Sequence, residues 1–177
     1  MLTRLATLLA MSARDIVIIA HDMRSTHNVG SLLRTCEGMG VVHVYLTGYT
    51  PYPALPHNDP RLPHLAAKLT RQINKTALGA ENLVAWSHAA DLAGCVASLK
   101  ADGYRVAALE QTATSIPLPA FAPSHKVALL LGREVEGVEP AVLALCDDAV
   151  EIPMLGQKES FNVVQAAAMA LYHLRFS

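Results

Sequence analysis

Charge is scarce in this chain. Only 16% of its 177 residues are Asp, Glu, Lys or Arg, and the formal net charge is −1. A broad basic surface is thereby excluded, so any nucleic-acid contact must be local. Cysteine is also scarce. Cys36, Cys95 and Cys146 stand far apart with no C-x-x-C pairing, an odd and scattered set that fits reduced thiols in a cytoplasmic protein. The eight histidines are dispersed, with no H-E-x-x-H pattern, so no metal is expected. Long apolar runs are missing too. The longest at the N-terminus, Leu2 to Met11, is interrupted by Arg4 and is too short to span a bilayer, so no membrane is expected. Several nucleotide and hydrolase signatures are absent as well. No glycine loop ends in Gly-Lys-Ser/Thr, no G-x-G-x-x-G follows a strand, and no G-x-S-x-G elbow surrounds a serine.

What is present is apolar and alternating. Hydrophobic residues make up 52% of the chain, enough for a full core in one domain. Residues 1–14 read as a leader segment or a peripheral helix, and residues 15–177 as the domain. Strands are expected at 15–20, 41–46, 83–86, 104–109, 126–131 and 149–152. Helices are expected at 28–39, from a Ser87 cap to Lys100, briefly at 140–146, and at 160–175. Apolar strands separated by helices indicate a mostly parallel α/β sheet flanked by helices on both faces.

Residues 48–76 break this pattern. The stretch holds five of the ten prolines, namely Pro51, Pro53, Pro56, Pro60 and Pro63. It also holds His57, His64, Arg61, Lys68, Arg71 and Lys75, the main concentration of positive charge. Residues 61–75 fit a helix with one basic face. On composition alone, a solvated linker fits as well as a substrate-contacting loop.

In an open parallel sheet, ligands bind beyond the carboxyl ends of the strands. Three polar clusters fall there. The first runs from Asp22 to Arg34 and contains Asn28-Val-Gly-Ser-Leu-Leu-Arg34. The second is Gly132-Arg-Glu-Val-Glu-Gly137. The third, Ser160-Phe161-Asn162, opens the last helix, where a Ser160 N-cap would leave free N–H groups facing the preceding loop. Each has a purely structural reading: Asn28 and Ser160 as simple caps, Arg34 as the partner of Glu37 or Glu134, and the glycines as turn formers.

Together the clusters resemble the three motifs of the SpoU (TrmH) class of RNA ribose methyltransferases. The matching segments are Asn-Val-Gly-Ser-x-x-Arg-Thr at 28–35, Leu-Gly-x-Glu-x-x-Gly at 131–137, and Ile-Pro-Met through Ser-Phe-Asn at 152–162. The turn Thr76-Ala-Leu-Gly-Ala-Glu81 also resembles a family turn. The resemblance implies a SPOUT fold with a C-terminal deep trefoil knot, a homodimer, and S-adenosylmethionine (SAM) bound in the knot. It implies SAM contacts from Leu109 onward, at Leu131, Gly132, Arg133, Glu134 and Gly137, at Ile152, Pro153, Met154 and Leu155, and at Ser160 and Phe161. It assigns methyl transfer to Arg34, Asn28, Glu134, Ser160 and Asn162, with a tRNA or rRNA ribose 2′-hydroxyl as acceptor. The chain departs from many members at Val164, where a second serine is common. Arg34 stays protonated, so it suits a cation that stabilises a developing alkoxide and clamps a phosphate better than it suits a base. RNA contacts are expected at Asn28, Arg34, Arg61, Lys68, Arg71 and Lys75. Ala166, Ala167, Ala168 and Ala170 are expected to let a partner helix approach. Two other classes stay open: a catalytically silent SAM- or RNA-binding relative, and an unrelated α/β nucleotide-binding module.

Overall fold

The computed structural model describes residues 14–177; the expected leader segment, apart from Arg14, lies outside them. Seven strands form one sheet in the order β3-β2-β1-β6-β4-β7-β5. They are β1 (Asp15–His21), β2 (His43–Thr47), β3 (Trp86–Ala89), β4 (Arg105–Leu109), β5 (Ile116–Pro117), β6 (Lys126–Leu131) and β7 (Asp148–Glu151). Every pairing is parallel. The helices are α1 (Thr26–Gly38), α2 (Pro63–Ala77), α3 (Leu92–Ala101), α4 (Pro140–Leu143) and α5 (Val163–Phe176).

The centre of the sheet explains the continuous apolar runs. In β1, Ile16, Ile18 and Ala20 join the core beneath α1 and α5, while Val17 and Ile19 join the opposite core beneath α3. Alternate side chains leave a strand on opposite faces, so a strand covered on both sides is apolar throughout. β1 and β6 run level, with Ala20 opposite Leu131, and β4 and β7 end together at Leu109 and Val150. The loops that leave these strands therefore share one edge.

The residues 48–62 are an extended connection, and α2 then packs along α1 through buried Ala66, Ile73 and Ala77. Contact is close at Gly30, where any Cβ would strike the Ile73 carbonyl oxygen and the Thr76 hydroxyl. At the C-terminus, Arg175 is buried and donates to the carbonyls of Met39, Gly40 and Arg14, which anchors α5 to the end of α1.

Four local expectations are corrected. Helix α1 is capped by Ser25, whose hydroxyl accepts from the Asn28 amide, so Asn28 lies inside the first turn. Helix α5 is capped by Asn162, which accepts from the Val164 amide at 3.0 Å, and Ser160 stands outside it. Asp91, not Ser87, caps α3, and Ser87 lies in β3. The strand expected at 83–86 is β3 at 86–89, because residues 80–82 form a 3₁₀ turn. The three capping errors have the same cause: several residues able to cap stand within a few positions, and the direction of chain entry chooses between them.

Candidate active site

The loops after β1, β6 and β7 converge at the carboxyl edge of the sheet. After β6, the chain makes a tight loop closed by Arg133 and Gly137, which exchange backbone hydrogen bonds at 3.1 and 3.2 Å. Both glycines are required. A Cβ on Gly132 would lie 2.6 Å from the Gly137 carbonyl oxygen, and Gly137 has φ +71° with the Glu110 carboxylate against it. Glu110 fixes the loop further by accepting from the Val138 amide at 2.7 Å.

The loop delivers Glu134 to the first turn of α1. Its carboxylate accepts from the Arg24 and Ser25 amides and from Asn28 Nδ2, each at 3.1 Å. These donors, the amides of the N-cap Ser25 and of Arg24 before it and the side-chain amide of Asn28, lie at the positive pole of a helix start, where a carboxylate is favoured. Burial opposes the charge, but these hydrogen bonds prevail and hold the carboxyl below its ordinary range. Asn28 Oδ1 lies 3.4 Å from Asn162 Nδ2. One residue from each of the three sequence clusters, Asn28, Glu134 and Asn162, is thus joined in a single chain of contacts.

Asp22 is a second organiser, absent from the sequence-derived set. It adopts φ +55° directly after β1, an uncommon conformation for an L residue. Its carboxylate accepts from the Tyr49 amide at 3.0 Å and from Arg133 Nη2 at 3.3 Å, tying the loop after β2 to the glycine loop. The available signal was an acidic residue placed immediately after an apolar strand.

A cavity of about 180 Å³ lies between the loops after β4, β6 and β7. Leu109, Leu131, Gly132, Arg133, Glu134, Gly137, Ile152, Met154, Ser160 and Phe161, all expected at a SAM site, line it. Pro153 and Leu155 do not; both are exposed. The cavity also includes Glu110, Gln111, Val135, Glu136, Val150, Glu151, Val163 and Ala166, which the sequence did not single out. Its walls are apolar at Leu109, Leu131, Val150 and Ile152. Its charged residues are Glu110, Glu134, Glu136 and Glu151 against Arg133 alone, and Arg133 is paired with Asp22 and Glu139. The cavity therefore favours a cationic, partly apolar guest over a phosphate. Among the described residues no cluster suited to a metal occurs.

The remaining candidates divide. Arg34 is exposed, lies outside the cavity, and makes no ion pair with Glu37 or Glu134. At about 100° and 1.5 Å per residue it stands roughly 9 Å along α1 and 120° round from Asn28. Lys68, Arg71 and Lys75 are exposed on α2, with His64 on the same face. Arg61 is not on that face, because α2 begins at Pro63. Its guanidinium is held by Asp59 at 2.6 Å and by the carbonyls of Tyr52 and Pro53. Of the alanines expected to meet a partner, Ala167 and Ala170 are fully buried in the chain's own core. The exposed apolar side of α5 is instead Met169, Tyr172 and Phe176, with Phe161 exposed just ahead of the helix.

Known proteins are similar to this chain in sequence and in fold. The sequence model described as the SpoU rRNA Methylase family matches residues 61–172. The 23S rRNA (guanosine-2′-O-)-methyltransferase RlmB of Acinetobacter baylyi is 30% identical over 166 residues, covering 93% of this chain and 61% of that protein. The tRNA (guanosine(18)-2′-O)-methyltransferase of Escherichia coli is 25% identical over 169 residues, 96% of this chain and 66% of that protein. The chain thus spans somewhat under two thirds of the length of these two curated relatives. In fold it is similar to the AdoMet-bound rRNA methyltransferase from Sinorhizobium meliloti, with a TM-score of 0.76, 20% identity, and coverage of 95% of this chain and 59% of that one. It is also similar to the A. aeolicus TrmH/SpoU tRNA modifying enzyme, at a TM-score of 0.75 and 22% identity, over 98% of this chain and 81% of that one.

Proposed function

Because the chain belongs to the SpoU rRNA methylase family, we propose that it transfers a methyl group from SAM to a ribose 2′-hydroxyl of tRNA or rRNA. One observation carries this reading: Asn28, Glu134 and Asn162, one from each motif, are linked at the rim of a cavity whose lining is apolar and acidic. The donor set fits SAM. The slot at Leu109, Leu131 and Ile152 suits adenine, and the carboxylates suit a sulfonium and an ammonium. A phosphate-bearing nucleotide would meet four carboxylates there, which weighs against a general nucleotide-binding module.

Bound SAM supplies a methyl group on a positively charged sulfur. The protein's part is to position the acceptor and stabilise its developing negative charge. Asn28, oriented by Glu134, and Asn162 hold the ribose edge at the cavity rim. Ser160, which lines the cavity and is bonded to no described residue, supplies a free hydroxyl on the same side. Arg34 serves the phosphate beside the acceptor ribose, since it is an exposed cation outside the cavity lining. Lys68, Arg71 and Lys75 hold the RNA backbone.

Three further properties belong to the same reading. The chain works as a homodimer joined through the exposed apolar side of α5. The segment after β7, which starts between β4 and β5 and ends with α5 packed on α1, forms the family's trefoil knot. No helix among the described residues is long and apolar enough to cross a membrane, in keeping with action on cytoplasmic RNA.

Calorimetry with S-adenosylhomocysteine and transfer of labelled methyl from SAM to total cellular RNA test the proposal. Heat of binding and label in alkali-stable dinucleotides are expected, because a 2′-O-methyl group blocks alkaline cleavage. Binding without transfer would favour a catalytically silent relative. Label confined to bases would overturn the ribose assignment.

A further inference from the structure

A second cavity, of about 370 Å³, has no lining residue in common with the first. Its size falls in the range of small-molecule sites, about 300–1,000 Å³. The two cavities meet at Arg24. The Arg24 amide holds Glu134, which lines the first cavity, and Arg24 itself lines the second.

The wall of this second cavity is a braced stack. The Arg61 guanidinium lies 3.5 Å from the centre of the Tyr52 ring, and the His88 ring is stacked 4.1 Å away at 24°. One ring face cannot seat both groups at those distances, so Tyr52 is sandwiched. Asp59 locks Arg61 at one end, and His88 Nε2 is 3.1 Å from the Gly48 carbonyl at the other. The stack is therefore braced at both ends, and Arg61 makes four hydrogen bonds within the protein from its five N–H groups. At the opening stand Tyr49, about half exposed, and Thr26, whose hydroxyl is bonded to no described residue. Leu69 of α2 also lines the cavity, between Lys68 and Arg71 in sequence.

We propose that this cavity receives the base of the RNA nucleotide whose ribose is methylated, an inference that rests on the methyltransferase reading above. The carbon that bears the 2′-hydroxyl is bonded directly to the carbon that bears the base. A ribose at the Asn28–Glu134–Asn162 rim must then place its base in an adjoining recess, and the cavity behind Arg24 adjoins it. Its chemistry suits a flat heterocycle. With both faces of Tyr52 taken, the half-exposed Tyr49 ring, whose centre lies 5.9 Å from the Arg133 guanidinium carbon, offers stacking. The Thr26 hydroxyl offers a hydrogen bond to a base edge, while Arg24 is held by Glu136. A phosphate is a poor guest, because Arg61 is neutralised by Asp59 and spends four of its five N–H groups within the protein. The base site and the basic stripe share helix α2, so one RNA strand can reach both.

The test uses the full chain saturated with S-adenosylhomocysteine, which blocks the first cavity. The four nucleoside 5′-monophosphates and ribose 5-phosphate are titrated by NMR into wild type, Tyr49→Ala and Tyr49→Phe. At least one nucleotide is expected to bind, with ribose 5-phosphate about tenfold weaker or more, and Tyr49→Ala is expected to weaken the nucleotide about 5- to 150-fold. Tyr49→Phe, which keeps the ring, retains the affinity. The inference is overturned if no nucleotide binds, if ribose 5-phosphate binds as well as the nucleotides, or if Tyr49→Ala changes nothing. Failure of wild type to bind S-adenosylhomocysteine would instead count against the methyltransferase reading, and the nucleotide titrations would still decide whether the cavity takes a base.

Discussion

Glu134 and Arg34 illustrate how differently two charged residues of one site are used. Glu134 is enclosed by donors, so its charge organises the start of α1. Its carboxyl is depressed below the ordinary value of 4.5, burial opposing the charge and the hydrogen bonds from Arg24, Ser25 and Asn28 outweighing it. A group depressed on folding contributes its full stability above its unfolded value and loses it as pH falls through the folded value. Thermal midpoints of wild type and Glu134→Gln should therefore differ by a constant amount near neutrality and converge only below about pH 4.5. A gap that closes above that pH would contradict the assignment. Arg34 is exposed and makes no such ion pair, and the proposed function assigns it to the substrate. Arg34→Ala should leave the fold and S-adenosylhomocysteine affinity intact while lowering kcat by about 100-fold or more. Loss of cofactor binding in a folded Arg34→Ala protein would refute that separation.

Helix α2 and the turn before it divide the basic segment into two parts with different work. Lys68, Arg71 and Lys75 point outward, whereas Arg61 braces Tyr52 and the loop around Asp59. The triple change of Lys68, Arg71 and Lys75 to Ala should reduce the salt-dependence slope of RNA binding by up to about 2, from about 0.7 per phosphate on a single strand. Its thermal midpoint should stay close to wild type. Arg61→Ala should behave in the opposite way, lowering the midpoint by several degrees because the Asp59 carboxylate and two carbonyls lose their donor. Equal thermal loss in the two variants, or an unchanged slope in the triple one, would remove this division.

At the scale of the molecule, one face of α5 has no cover among the described residues. Ala167, Ala170, Leu171 and Leu174 fill the core, and Met169, Tyr172 and Phe176 remain exposed along the other side, with Phe161 just ahead of the helix. Large apolar residues aligned on one helix face mark an interaction surface more often than an isolated exposed residue does. Light scattering should give about twice the chain mass of 18.9 kDa, and Tyr172→Asp should shift it to the single-chain value. A wild-type monomer at micromolar concentration would refute the homodimer.

The sheet was legible because burial on both faces leaves no choice of residue. The Lys126–Leu131 run is apolar at every interior position, and its strand begins and ends where the run does. The three motif clusters were legible because chemistry at strand ends needs particular polar residues and glycines at fixed intervals. What the sequence could not supply was choice among equivalents and contact across distance. Asn28, Ser160 and Ser87 are each able to cap a helix, and only the path of the chain selected Ser25, Asn162 and Asp91. Arg61 reads like its basic neighbours until Asp59 folds back on it. The alanines of α5 read as a partner surface until the sheet claims them. Asp22 shows in the sequence only as an acidic residue after an apolar strand, because its work is to join Tyr49 to Arg133, residues separated along the chain by 84 positions. Local patterns fix which residues must be buried or must turn; the convergence of remote loops at one sheet edge decides which polar groups meet.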